Sequence, residues 1–236
     1  MKENIKQYYR VSDPFSRYSI SNKDRVDKIK KLYNSNKKYF GKRVLDICCG
    51  GGVLGFIIEP KGHKYTGMDI DPDMINSAKR HVRKINSDNK IILGDATKKK
   101  LSGKFDTLTN IGNSLIHINL GSFLKIMKNF EKNIHRGTYF VIEYRDVVRL
   151  FYDRQWKNRM VEKSKGKVII SLTKGANMEV GEAYKEASER SGKNKVEFIH
   201  AIWSPFILEN IMKLFGWKLV KRKSSNVLYT DVYRKE

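Results

Sequence analysis

Three glycines, Gly50, Gly52 and Gly55, spell G-x-G-x-x-G between an apolar run, Arg43-Val-Leu-Asp-Ile47, and a short helix-like stretch ending near Pro60. Glycines let backbone come close to a bound group, and a helix N-terminus offers N–H groups to an anion, whether a pyrophosphate or a carboxylate. Asp69 follows about 20 residues after the loop, where an acid can hold ribose hydroxyls. These features predict a nucleotide-like ligand without naming it. The only cysteines, Cys48 and Cys49, are adjacent. They cannot staple distant segments, and two thiolates do not complete a zinc site, so no metal is expected.

The elements that must position these residues alternate. Ser21 to Phe40 reads as a helix with Val26, Ile29, Leu32 and Tyr33 on one face. Strands are expected at Arg43–Ile47, Lys64–Met68, Lys90–Leu93, Phe105–Thr109 and Thr138–Ile142, with helices at Asp73–Ile85 and Phe123–Asn133. Such alternation means βαβ units and a parallel sheet with helices on both faces. The pattern then changes: Val168–Leu172, Met178–Tyr184 and Val196–Trp203 read as consecutive strands, a small antiparallel insertion. Ser204 as N-cap, Pro205 in the first turn and Gly216 past the end bound another helix, with Ile207, Leu208, Ile211, Met212 and Phe215 inward. Trp217–Val220 and Leu228–Tyr233 suggest an antiparallel pair at the sheet edge. The expected fold is therefore α/β, a Rossmann-like three-layer αβα sandwich with a mostly parallel sheet, a reversed C-terminal strand and a small antiparallel β insertion. One domain over 1–236 is expected: a helical flap at 1–40, a ligand-binding core at 41–145, a substrate-side insertion at 146–203 and a closing helix and strand pair at 204–236.

The stretch VLDICCGGGVLGF resembles the first motif, D/E-x-G-x-G-x-G, of class I S-adenosylmethionine-dependent methyltransferases. Asp46 falls on its acid, Gly50 and Gly52 on its later glycines, and Cys48 replaces the first glycine. An acid there can orient the loop and meet the cofactor's ammonium end, whereas beside a pyrophosphate it would repel. GMDIDPDMINSAK resembles the second motif, which implies Asp69 on the ribose, Ile70 packed on adenine and Met74 opening the next helix. GDA resembles the third, with Asp95 and Ala96 near the adenine amino group. FDTLTNIGNSLIHI resembles the fourth, whose strand end, here Asn110 and Ile111, lines the methyl-transfer face. The likeness covers residues 40–142 well. SPFILENIMKLFGWKLV is more loosely similar to the closing helix and strand of small-molecule methyltransferases related to glycine and sarcosine N-methyltransferases. The resemblance implies S-adenosyl-L-methionine as cofactor.

Methyl transfer needs position and a dry site more than a dedicated base, because the cofactor carries the reactivity. His117 is the candidate for a base or substrate ligand, with Asn113 and Ser114 in the same loop. Glu143, Tyr144 and Arg145 follow the fifth strand at the ligand-binding edge of an open α/β sheet, and Tyr144 and Arg145 are taken as substrate candidates. Trp156 and Trp203 are candidates for the pocket wall, and Tyr8, Tyr9 and Tyr18 for the flap. No Asn-Pro-Pro-Tyr motif follows the fourth strand, which runs Thr109-Asn110-Ile111-Gly112. That weakens methylation of an exocyclic adenine or glutamine nitrogen.

The net charge is +23. It suits a lysine-rich solubilising surface or a polyanionic partner, and the basic residues are scattered rather than interleaved with aromatics as in an RNA-binding strand. No apolar run approaches the ~20 residues of a membrane span, and the N-terminus does not read as a signal peptide, so a cytoplasmic chain off the membrane is expected. The leading reading is methyl transfer to N or O of a small molecule. An RNA substrate, a nicotinamide-dependent oxidoreductase and a non-catalytic cofactor-binding module stay open.

Overall fold

The computed structural model describes residues 22–153, 157–164, 167–192 and 194–236. The three N-terminal tyrosines and Trp156 lie outside them. Helix α1, Lys23–Asn36, is capped by Asn22, whose side chain accepts from Arg25 N–H. Strand β1, Arg43–Ile47, leads through the glycine turn into α2, Val53–Ile58. β2, Lys64–Asp69, is followed by α3, Pro72–Lys84, where Asp71 accepts from Asp73 and Met74 N–H and Pro72 opens the first turn. Then come β3, Lys90–Leu93; β4, Thr107–Asn110; a 3₁₀ turn, Ser114–His117; α4, Leu120–Phe130; and β5, Tyr139–Arg145.

The central sheet has seven strands in the order β10-β11-β5-β4-β1-β2-β3, where β10 is Trp217–Ser225 and β11 is Leu228–Lys235. The first five strands pair in parallel, and β11 runs antiparallel to both β5 and β10. The expected αβα sandwich with a reversed C-terminal strand is what the chain forms. Strand alternation sorts the core into two layers. Leu45, Ile47, Leu108, Phe140 and Ile142 face Phe123 and Phe130 of α4 and Leu208 and Met212 of α6, Pro205–Leu214. Val44, Val141 and Val232 face Ile29 and Leu32 of α1 and Leu54 and Ile58 of α2. The chain order reverses between β1 and β4, and that switch point opens a crevice at their carboxyl ends.

The insertion differs from its reading. It opens with a short helix, α5, Val147–Tyr152, capped by Asp146. Four strands follow in a separate antiparallel sheet: β6, Arg159–Ser164; β7, Lys167–Asn177; β8, Glu182–Glu189; and β9, Val196–Ala201. The strand expected at Met178–Tyr184 is largely a turn. Asn177 Oδ1 accepts from Glu179 and Val180 N–H, an Asx turn, and Gly181 at φ +65 completes the reversal. Among the described residues no helix is long and apolar enough to cross a membrane.

Candidate active site

The crevice holds a cavity of about 180 Å³ reached from the glycine turn, the ends of β1 and β2, the loop after β3, the end of β4 and α1. Of the residues expected to hold the cofactor, Asp46, Cys48, Gly50, Asp69, Ile70, Met74, Asp95, Ala96 and Ile111 line it. Gly52 and Asn110 do not. Gly52 is buried at φ +71 between Ile91 and Ala78, and Asn110 turns Nδ2 to Ile47 O across the β1–β4 ladder.

The turn works by close approach more than by offering amides. Gly50 N–H donates to Asp69 Oδ2 at 2.8 Å and Gly52 N–H donates to Cys49 O at 3.0 Å. Cys48 stands at φ +63, a conformation costing a non-glycine residue about 1–2 kcal/mol, at the position where the motif has glycine. Asp69 also accepts from Asp71 N–H through Oδ1 at 2.9 Å. Each carboxylate oxygen has a second lone pair, so Asp69 can pin the turn and still accept two hydroxyls. Burial raises its pKa. Asp46, 2% exposed, accepts from Thr109 Oγ1 at 2.6 Å and Tyr65 OH at 2.9 Å. Burial lifts its pKa to about 6 against those hydrogen bonds. Asp95 Oδ1 accepts from Thr97 N–H and Oγ1.

Arg25 also lines the cavity and was not anticipated. It comes from α1, and a Cβ on Gly112 would run into its guanidinium, so that glycine at φ +85 makes room for it. The only signal in sequence is a glycine after β4, with nothing to link it to a residue 87 positions earlier.

At the other end of the cavity lie Asn113, Ser114 and His117. Asn113 Oδ1 accepts from Arg145 N–H at 3.1 Å, which ties the 3₁₀ turn to the end of β5. The surrounding wall desolvates His117 and lowers its pKa to about 4, so the ring is neutral near pH 7. Tyr144 is not brought to the cavity. It is fully buried in the core layer of α4 and α6 and donates its OH to Asp231 Oδ2 at 2.8 Å. Arg145 is exposed beside the cavity rim rather than in its wall, and Glu143, 2% exposed, accepts from Lys28 Nζ at 2.7 Å. Trp203 is core: its indole N–H donates to Ile118 O at 2.9 Å. No cluster of His, Cys, Asp or Glu able to hold a metal occurs among the described residues.

A Rossmann-like sheet with an acid-lined cavity at its switch point defines a class, the nucleotide-cofactor enzymes, and the comparisons narrow it. A family model described as a methyltransferase domain matches residues 38–196, and the chain belongs to that family. A Pyrococcus horikoshii protein of known structure superposes with TM-score 0.75 at 22% identity, covering 97% of this chain and 98% of its own. An S-adenosylmethionine-dependent methyltransferase from Clostridium acetobutylicum follows at TM-score 0.72 and 16% identity, covering 99% and 98%. The mitochondrial ubiquinone biosynthesis O-methyltransferase of Schizosaccharomyces pombe is 30% identical over 93 residues, 38% of this chain and 34% of that protein. The chain thus spans about a third of that relative's length. It carries that family's methyltransferase domain, in the fold of the S-adenosylmethionine-dependent methyltransferase from Clostridium acetobutylicum. The cavity fits the cofactor: Asp69 and Asp95 suit hydroxyl and amino groups, Ile70 and Met74 an aromatic ring, and Arg25 a carboxylate.

Proposed function

We propose that this chain methylates an oxygen or nitrogen of a small-molecule acceptor placed against His117. The carrying observation is the position of His117: it lines the end of the cavity away from Asp69 and Asp95, on a turn that packs against β9 of the inserted sheet. When bound, S-adenosylmethionine supplies a methyl carbon activated by a sulfonium. Asp69 and Asp95 would hold the nucleoside portion and Arg25 the carboxylate. The neutral imidazole of His117 can then take the proton that a hydroxyl or neutral amine acceptor sheds as its bond to carbon forms. The resemblance to the ubiquinone biosynthesis O-methyltransferase supports oxygen as one acceptor atom. The whole of residues 1–236 is read as one methyltransferase domain, with the inserted sheet as the substrate-side wall.

The test is transfer of labelled methyl to paired phenolic and amino acceptors by the parent and by His117→Gln. Loss of turnover with unchanged cofactor affinity supports the reading. Full turnover by His117→Gln removes His117 from the reaction. A second reading, RNA as acceptor, rests on the net charge of +23. It requires steep salt-dependent RNA binding, and absence of binding at low salt excludes it.

A further inference from the structure

Helix α1 turns one face toward the cofactor end of the molecule. Arg25, Lys28 and Ile29 stand at i, i+3 and i+4, so they share that face. Arg25 and Ile29 line the cavity. Lys28 reaches instead to the end of β5, where its Nζ donates to Glu143 Oε1 at 2.7 Å. Glu143 is 2% exposed and lies two residues beyond Val141, on the face of the sheet that α1 covers. β5 is an interior strand between β4 and β11, with Glu143 opposite Thr230 in the ladder. The carboxylate is therefore the fixed partner, and the helix is what it positions.

Apolar contacts dock α1 without fixing its placement along the sheet. Ile29, Leu32 and Tyr33 are buried in one cluster with Leu54, Ile58 and Val141, and burial of apolar surface is non-directional. An ion pair on a buried carboxylate adds little net stability over an apolar pair, but it favours one geometry. Arg25 is where that geometry matters. Its N–H donates to Asn22 Oδ1 at 3.0 Å, and its guanidinium lies against Gly112, where a Cβ would displace it. The far end of α1 is tied separately, by Lys221 Nζ donating to Ser35 O at 2.6 Å and Asn36 Oδ1 at 2.8 Å. A charge-assisted hydrogen bond holds its atoms at about 2.7–2.9 Å, so a shift of the first turns by an ångström or so would lose it.

We infer that Lys28 and Glu143 are positioning residues for the cofactor. The pair sets the first turns of α1 so that Arg25 meets the carboxylate of S-adenosylmethionine, although neither member of the pair lines the cavity. This rests on the reading of Arg25 given above and adds what holds it in place.

The probes are S-adenosylhomocysteine, which carries the carboxylate, and 5′-methylthioadenosine, which keeps the nucleoside and lacks it. Each is titrated by calorimetry into the parent, Lys28→Met, Arg25→Gln and the double variant. Lys28→Met should bind S-adenosylhomocysteine about 5–30-fold more weakly and methylthioadenosine as the parent does. Lys28→Arg, which keeps a donor for Glu143, should recover most of the affinity. In the Arg25→Gln background Lys28→Met should bring no further loss, because the group it positions is gone. Glu143→Gln takes the place of Lys28→Met, with the same expectations, if that variant does not fold. Unchanged affinity for S-adenosylhomocysteine, equal weakening of both ligands, or the same loss with and without Arg25 overturns the proposal. The Arg25 background decides alone if methylthioadenosine binds too weakly to titrate. Parent-like binding by Arg25→Gln overturns instead the assignment of Arg25 to the carboxylate, and a parent that does not bind S-adenosylhomocysteine overturns the cofactor reading beneath both.

Discussion

Gly55→Ala sets two effects of opposite sign against each other. Gly55 is the one glycine of the G-x-G-x-x-G signature inside α2, where its backbone is ordinary helix. A Cβ there would lie 2.5 Å from Tyr65 Cδ1 and 2.7 Å from Cε1. Tyr65 is 3% exposed and its OH holds Asp46 Oδ2. Alanine gains about 1 kcal/mol over glycine in a helix interior. Overpacking a buried ring costs about 1–3 kcal/mol, and loosening the hydrogen bond to a buried carboxylate about 1–3 kcal/mol more. The net expectation is a loss of about 1–5 kcal/mol, with weaker cofactor binding as Asp46 shifts. In a Tyr65→Ala background the ring is gone, and the same substitution should stabilise by about 1 kcal/mol. Urea denaturation of the four proteins forms a double-mutant cycle, and the reversal of sign is the diagnostic. If Gly55→Ala is harmless in the parent, or equally damaging in both backgrounds, its close packing on Tyr65 is not why glycine stands there.

The remaining predictions concern buried charge. His117 has a folded pKa of about 4, below the ordinary 6.5. Its contribution to stability is therefore complete above about pH 6.5 and is lost as pH falls toward 4. Between pH 7 and pH 5, His117→Gln should lose about 1–2 kcal/mol less stability than the parent in urea melts. Asp46 has the opposite sign. Its pKa is raised from 3.8 to about 6, so its contribution is complete below 3.8 and is lost as pH rises through 6. The stability of Asp46→Asn relative to the parent should therefore improve by about 2 kcal/mol from pH 4 to pH 7, measured the same way. The two effects oppose each other in the parent between about pH 4 and 6, so only the single variants separate them. Arg222 holds the fully buried Asp231 through Nε at 2.9 Å and Nη2 at 2.8 Å, leaving Tyr144 and Tyr233 as its other donors. Arg222→Met strands that carboxylate and should cost about 3 kcal/mol in urea melts, with S-adenosylhomocysteine affinity unchanged because the network lies outside the cavity.

The core was legible because its strands are short apolar runs that can only be buried. Val44, Leu45 and Ile47 leave no solvent face, and the acids Asp46 and Asp69 interrupt that pattern where a ligand is met. Local chemistry was legible as well: Ser204 caps α6 by accepting from Ile207 N–H, and Pro205 starts it. The insertion was harder to read because its apolar residues do not mark one face. Met178 is 65% exposed and Val180 53%, so alternation across them suggested a strand where an Asx turn stands. At the site, sequence separated neither Tyr144 from the cavity nor Arg25 toward it. Successive residues of β5 face opposite sides, so the end of a strand locates a site only to within one residue. Arg25 lines the cavity from α1 and His200 meets His117 from β9, and both placements depend on how α1 and the insertion lie over the sheet. No local pattern encodes that.

The most direct test of the account is calorimetric titration of S-adenosylhomocysteine into the parent and into Asp69→Ala. Asp69 both pins Gly50 N–H and lines the cavity, so its removal should loosen the turn and withdraw a hydroxyl acceptor at once. The account predicts one site per chain in the parent and an affinity at least about 30-fold weaker in a folded Asp69→Ala, equivalent to about 2 kcal/mol. Equal affinity in the two proteins would contradict it.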